Sequence, residues 1–113
     1  MAHWNDKRYL EENTVKLFTA YGSTVSRRGL GFDKPEKNND SIPEPYPALS
    51  ASALTFGHTG FTGTCTWADP EKNLVFVFLS NRTYPSRNKI FSDLNVRGKL
   101  LEAVYQSFIK SDS

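Results

Sequence analysis

The stretch FGHTGFTGT, residues 56–64, is the part of the chain that decides the predicted fold. Glycines at 57, 60 and 63 alternate there with polar or aromatic residues, and β-branched and aromatic residues continue through Trp67. A glycine inside a strand weakens it and adds no side chain to the packing, so three in one short run are costly unless another group approaches the backbone. The pattern therefore predicts a strand edge kept bare for a ligand, with bulges or a tight turn as the alternative.

The triplet HTG at residues 58–60 resembles the third active-site motif of serine β-lactamases, penicillin-binding proteins and their esterase relatives. In these enzymes Lys/His-Thr-Gly lies on the strand that lines the acyl-enzyme site. The segment RGLGF at residues 28–32 is similar to their Gly-Leu-Gly-aromatic strand, and residues 67–81 are similar to the hairpin that follows their third motif. From residue 9 to about 108, the chain resembles the C-terminal part of a hydrolase of the class C and esterase type.

The resemblance implies a role for each residue of the motif. The side chain of His58 would face the substrate, and Thr59 would bind a substrate carboxylate or help to fix the strand. Gly60 would leave room for the ligand, and the backbone N–H of Phe61 would supply one oxyanion-hole donor. The residues by themselves also allow a plainer interpretation, in which His58 is a half-exposed strand histidine and Thr59 fits a pleated surface.

Two parts of the family pattern are missing from the positions where they belong. The nucleophile of these enzymes lies in a Ser-x-x-Lys motif, and a Tyr-x-Asn or Ser-x-Asn motif follows it before the third motif. Residues 86–89 and 107–110 match Ser-x-x-Lys by spelling, and residues 86–88 match Ser-x-Asn, but all of them follow the third motif. Acyl transfer through serine needs a nucleophile, a base and oxyanion donors. The chain is therefore predicted to be inactive alone and to require the rest of a parent hydrolase, including a missing N-terminal segment.

Length and composition set the outer bounds of the prediction. A chain of 113 residues with 38% hydrophobic and 23% charged side chains is one small domain, residues 1–113, or a fragment of a larger one. Because 14 Lys+Arg against 12 Asp+Glu leave a net charge of only +2 without a clustered basic face, nucleic-acid binding is not expected. Arg27 and Arg28 are interpreted as the solvated end of an element. No cofactor or metal is predicted.

Other features bear on compartment and chemistry. No stretch approaches the ~20 apolar residues of a membrane span, and the family resemblance implies a parent protein of a bacterial periplasm or cell surface. Cys65 is the single cysteine, so an internal disulfide is excluded. It lies between two threonines and is predicted to be a small buried strand residue rather than a reactive thiol.

Periodicity and turn signals predict an α+β fold, with an antiparallel sheet of about three strands flanked by N- and C-terminal helices. The family resemblance implies that this is a partial β-lactamase-like sheet domain. The second hairpin strand is apolar on both faces and is predicted to be a central strand, with both its valines and its phenylalanines buried. The long loop leads into the motif strand and is a candidate wall of a cleft. The predicted elements are a helix over 14–21, a strand over 26–32, a Pro/Ser/Asn-rich loop over 36–53, a hairpin of 61–67 and 74–80, and a helix over 96–109.

Two functions remain open on the sequence alone. The first is the C-terminal portion of a serine hydrolase that acts on an ester, amide or β-lactam. The second is a non-catalytic binding or interaction module that kept the scaffold. In either case an exposed sheet edge would invite pairing with another chain, so a homodimer is also predicted as a possible assembly.

Overall fold

The structure, a computed structural model, describes residues 3–86, 89–90 and 94–111. A three-stranded antiparallel sheet in the order β3-β4-β5 and two helices confirm the predicted α+β fold, and a separate two-stranded hairpin, β1-β2, precedes them. The elements are β1 His3–Trp4, β2 Lys7–Arg8, α1 Glu12–Thr19, β3 Phe56–Thr59, β4 Cys65–Asp69, β5 Leu74–Phe78 and α2 Val96–Ser111.

The hydrophobic core lies between β4 and α2. Side chains alternate along a strand, and on β4 the alternation places Cys65 and Trp67 on the face that packs against Leu101 and Tyr105 of α2. Ala48, from the long loop, completes this buried cluster. Cys65 is buried as predicted, and burial raises the pKa of its thiol. The helix predicted over 96–109 therefore packs on the sheet through Leu101 and Tyr105, whereas Leu100 and Phe108 are 39% and 53% exposed.

The prediction that residues 74–80 form the central strand is wrong. The central strand is β4, and β5 pairs with it on one side only among the described residues. Val75 is 72% exposed and Val77 is 59% exposed, whereas Phe76 and Phe78 are partly buried against the core. The sequence shows that both faces of this strand are apolar. Burial of a face, however, requires another element to cover it, and α2 covers only the face of the sheet that carries the phenylalanines.

The predicted strand over 26–32 is also wrong. The Ser23 hydroxyl accepts a hydrogen bond from the Val25 N–H, and the Ser26 hydroxyl accepts one from the Arg28 N–H. Gly31 has a φ of +89°, outside the range of extended strands. Local bonds of this kind compete with a strand ladder, so the segment bends instead. Only Asp33, just beyond it, pairs with β3, through an isolated bridge to Gly57.

The predicted hairpin is present, but its first strand begins later than expected. Residues 60–64 form a turn that joins β3 to β4, and the β3–β4 ladder ends at the Thr59–Cys65 pair. The Gly60 N–H closes the turn by donating to the Thr64 carbonyl at 2.8 Å, and Gly63 lies at a φ of +101°. Of the two alternatives for these glycines, a tight turn accounts for positions 60 and 63.

The N-terminal helix lies close to the predicted position, at Glu12–Thr19, and none of its residues is fully buried. The long loop over 36–53 contains one short 3-10 turn, Asn39–Ser41, and its later part packs onto the core. The β1-β2 hairpin was not predicted. Its signal is Asn5-Asp6, which both take positive φ values, 51° and 63°, as a two-residue type I′ turn requires.

Candidate active site

His58 lies on the face of the sheet that α2 leaves uncovered. It pairs in register with Thr66, which is exposed, whereas its neighbour Thr59 pairs with buried Cys65. The two motif side chains therefore point to opposite faces, as the period of a strand demands. The uncovered face continues across β5 at Val77, which pairs with Thr66.

Two hydrogen bonds hold the imidazole of His58. Its Nδ1 lies 2.7 Å from the carbonyl oxygen of Thr59, and its Nε2 lies 3.2 Å from Nη1 of Arg28. Both ring nitrogens therefore have a protein partner, although the side chain is exposed. The ring is oriented by its neighbours rather than left to rotate in solvent.

Asp33 ties the segment before the long loop to the motif strand. Its N–H donates to the Gly57 carbonyl at 2.7 Å, and the Gly57 N–H donates to the Asp33 carbonyl at 3.1 Å. A β-carbon at position 57 would collide with backbone on the neighbouring strand, so glycine there serves a close backbone approach. The buried carboxylate of Asp33 accepts from Arg27 Nε at 2.9 Å and from the Tyr46 hydroxyl at 2.7 Å, with Arg28 Nε at 3.9 Å.

Arg27 and Tyr46 complete this network. The Arg27 guanidinium lies 4.2 Å from the centre of the Tyr46 ring and donates to Glu36 at 2.8 Å. Burial, together with the hydrogen bond to Asp33, raises the pKa of Tyr46 to about 12, so its hydroxyl remains a donor at neutral pH. The interpretation as a solvated end is therefore wrong for Arg27, whereas the side chain of Arg28 is 52% exposed. The acids at 33 and 36 were the only sequence signal for this network.

The turn after the motif is held from two sides. Arg97 of α2 donates to the carbonyls of Gly60 at 3.4 Å and Thr64 at 3.2 Å. The Phe61 ring is 63% exposed, and the Phe61 carbonyl accepts from Arg82 Nε at 2.7 Å. Because the β3–β4 ladder ends at Thr59, the Phe61 amide lies in the turn and not in that ladder.

Two concavities flank β3. A small cavity of about 50 Å³ lies on the α2 side, where Thr59 is part of its lining together with Trp67 and Arg97. A larger apolar groove of about 590 Å³ lies between α1 and β3. Its lining residues are Leu10, Thr14, Val15, Phe18, Thr19, Phe32 and Phe56. Phe32 and Phe56 meet there edge to face, with ring centres 5.1 Å apart.

Of the two downstream matches to Ser-x-x-Lys, the structure describes the serine environment of only the second in full. Residues 87 and 88 lie outside the described residues, so nothing structural bears on the match at 86–89. Ser107 lies on α2, exposed, and its hydroxyl donates to the Val104 carbonyl one turn earlier at 2.7 Å.

Over the parts of the chain that the structure describes, no group of three or more His, Cys, Asp or Glu could hold a metal ion. Within the same ranges, no helix combines the length and apolarity that a bilayer crossing requires.

Comparison with known proteins identifies the family. The β-lactamase family model matches residues 2–98, and the chain belongs to that family. A protein of Salmonella enteritidis named "Putative D-alanyl-D-alanine carboxypeptidase" is 33% identical over 104 residues, which are 90% of this chain and 23% of the relative. A protein of the same name from Escherichia coli is 35% identical over 81 residues, 72% of this chain and 18% of the relative.

These matches support a serine-hydrolase-like family of the β-lactamase and penicillin-binding-protein type, as the motif predicted. The chain spans only about a fifth of the length of the curated relatives that it matches, 18% and 23% for the two above. No solved structure gives a significant match to this chain.

Proposed function

We propose that this chain is the C-terminal portion of a serine hydrolase that cleaves an ester, amide or β-lactam through an acyl-serine. In this role His58 faces the substrate, Gly60 allows the tight turn that follows the motif, and the Phe61 N–H in that turn is one oxyanion donor. The nucleophile and its base come from polypeptide outside these 113 residues. The name of the relatives suggests peptides that end in D-alanyl-D-alanine as the first substrate class to test.

The observation that carries this proposal is the placement of His58. The residue stands on the uncovered face of the sheet, at the end of a strand, with both ring nitrogens held. A catalytic wall needs a side chain that is oriented in advance and still reachable by substrate. A histidine buried against α2, or one without partners, would not meet both conditions.

The rest of the parent protein would cover three surfaces that the described residues leave open. These are the outer edge of β5, the uncovered face at Val75 and Val77, and the apolar groove between α1 and β3. A partner that brings the nucleophile to the uncovered face would close a cleft over His58. We also propose that this parent protein works in the periplasm or at the cell surface of a bacterium.

Hydrolysis tests the proposal directly. The 113-residue chain should hydrolyse neither a chromogenic β-lactam, nor a nitrophenyl ester, nor a D-alanyl-D-alanine peptide above the level of its His58→Ala variant. A longer polypeptide that carries a Ser-x-x-Lys segment before these residues should be active. In it, His58→Ala should lower turnover by roughly 10²-fold or more, as expected for the loss of one positioned polar group in the site.

Two results would contradict the proposal in different ways. Turnover by the short chain that His58→Ala abolishes would require a nucleophile within these residues. An inactive longer polypeptide that still binds a substrate analogue would favour the alternative, a non-catalytic binding module. A Lys37→Ala variant is the matched control, because that side chain contacts the Ser23 carbonyl and the Tyr21 ring, neither of which belongs to β3.

The exposed edge of β5 leads to a separate expectation for the isolated chain. Unpaired strand edges with apolar side chains promote association, so we expect concentration-dependent dimers in sedimentation experiments. Val77→Lys, which places a charge on the uncovered face of that strand, should shift the chain toward monomer. A monomer at all concentrations would contradict this expectation, and dimers that Val77→Lys leaves unchanged would show that the uncovered face of β5 is not part of the contact.

A further inference from the structure

The side chain of Arg28 is placed so that it can set the state of the candidate active-site histidine. A backbone carbonyl only accepts hydrogen bonds and a guanidinium only donates them. Since Nδ1 of His58 faces the Thr59 carbonyl at 2.7 Å and Nε2 faces Arg28 Nη1 at 3.2 Å, both contacts are satisfied only when the proton is on Nδ1 and the lone pair is on Nε2. That arrangement is the neutral imidazole in one specific tautomer.

Arg28 is itself held in place. Its N–H donates to the Ser26 hydroxyl at 3.3 Å, and its carbonyl accepts from the Gly22 N–H at 3.0 Å. Its Nε lies 3.9 Å from Oδ1 of Asp33, whose backbone pairs with Gly57, next to the histidine. The backbone of Arg28 is therefore held locally, and its guanidinium approaches a residue that pairs with the strand carrying the ring.

The neighbouring residue, Arg27, has different hydrogen-bond partners from Arg28. Arg27 forms ion pairs with Asp33 at 2.9 Å and with Glu36 at 2.8 Å, so the buried carboxylate of Asp33 is already paired. Arg28 makes only the longer approach to Asp33 and gives its terminal nitrogen to His58. Across the sheet the residue opposite the histidine is Thr66, which carries no charge. Within the described ranges, Arg28 is thus the charged group that hydrogen-bonds to the ring.

We propose that Arg28 is the positioning residue of His58: it fixes the neutral tautomer with the proton on Nδ1 and places a permanent positive charge beside Nε2. This inference rests on the proposed role of His58 in the site. In that role, a fixed cation one hydrogen bond behind the imidazole attracts an anionic substrate group. An arginine suits this task because its guanidinium stays charged at any physiological pH.

The test uses nitrogen NMR of the 113-residue chain with labelled histidine and arginine, in mildly basic solution where histidine side chains are ordinarily neutral. The chain has two histidines, and His3→Gln assigns the signals. We expect the Nδ1–H tautomer at His58 and a coupling across the hydrogen bond between Arg28 Nη1 and His58 Nε2. Arg28→Met should abolish the coupling and move the Nε2 resonance to the position of a free acceptor. Arg28→Lys, which retains a charged donor of similar reach, should restore part of the shift.

Several outcomes would overturn the inference. They are a proton on Nε2 in the parent chain, an Nε2 resonance that Arg28→Met leaves unchanged, and a shift of equal size in Arg8→Met, whose side chain lies near Glu11. The parent spectrum decides the tautomer even if a variant fails to fold, and dispersed amide signals check the folding of each variant. Because no reading depends on turnover, failure here is distinct from failure of the proposed hydrolase function.

Discussion

Replacing Trp67 by alanine should lower the free energy of unfolding by about 3–5 kcal/mol, the largest effect we expect of any single substitution. Trp67 is 3% exposed, lies on the central strand and meets the Tyr46 ring edge to face at 5.5 Å. It joins β4 to α2 and to the long loop, so its removal leaves a cavity where three parts of the chain meet. A domain of this size has only about 5–15 kcal/mol of stability, and the variant should lose much of its cooperative transition in urea or heat.

The matched control lies one strand away. Val75→Ala removes an apolar side chain that is 72% exposed, and it should change stability by no more than about 0.5 kcal/mol. Phe76→Ala should fall between the two, because Phe76 is only partly buried against the core. Equal losses for Val75→Ala and Trp67→Ala would show that the uncovered face is packed in solution and that the core is not where the structure places it.

Local periodicity was sufficient to predict the parts of the fold that depend on local sequence. The predicted helix over 96–109 and the later part of the predicted strand over 61–67 do pack together, as α2 and β4. The triplet at 58–60 identified the family, and period two placed His58 and Thr59 on opposite faces. These predictions hold because each depends on residues a few positions apart, whose geometry the backbone sets.

The wrong predictions concern features that depend on distant partners. Residues 74–80 have the composition of a central strand. Their position in the sheet, however, depends on which other strands pair with them, and among the described residues only β4 does so. The contact between Arg28 and His58 joins residues 30 positions apart, and no local pattern indicates it. The prediction of a strand over 26–32 was wrong because of local interactions rather than distant ones. Serine hydroxyls accept hydrogen bonds from nearby backbone N–H groups, and Gly31 takes a positive φ that a strand does not have.

Replacing Asp69 by alanine should have the second largest effect on stability. Asp69 is 2% exposed, and its carboxylate accepts from the Ser52 hydroxyl at 2.5 Å, the Ser52 N–H at 3.2 Å and the Tyr105 hydroxyl at 2.6 Å. It thereby links the loop, the central strand and α2. A buried donor that loses its acceptor costs about 1–3 kcal/mol, so Asp69→Ala should lower the free energy of unfolding by about 3 kcal/mol or more, as measured by urea denaturation.

Dependence on pH separates the charge of Asp69 from its shape. Burial alone would raise the pKa of this carboxyl, but the hydrogen bonds from Ser52 and Tyr105 outweigh burial and leave the pKa lowered. A lowered folded-state pKa stabilises the protein above the unfolded value of ~3.9, and this stabilisation is lost as pH falls through the folded value. Asp69→Asn does not titrate, so the stability difference between the parent and this variant should shrink in acid below pH ~4. The pKa of Glu102 is also lowered, but Glu102 is present in both proteins, so its contribution cancels in the comparison. A difference that stays constant from neutral to acidic pH would mean that the Asp69 carboxylate is not held by these donors.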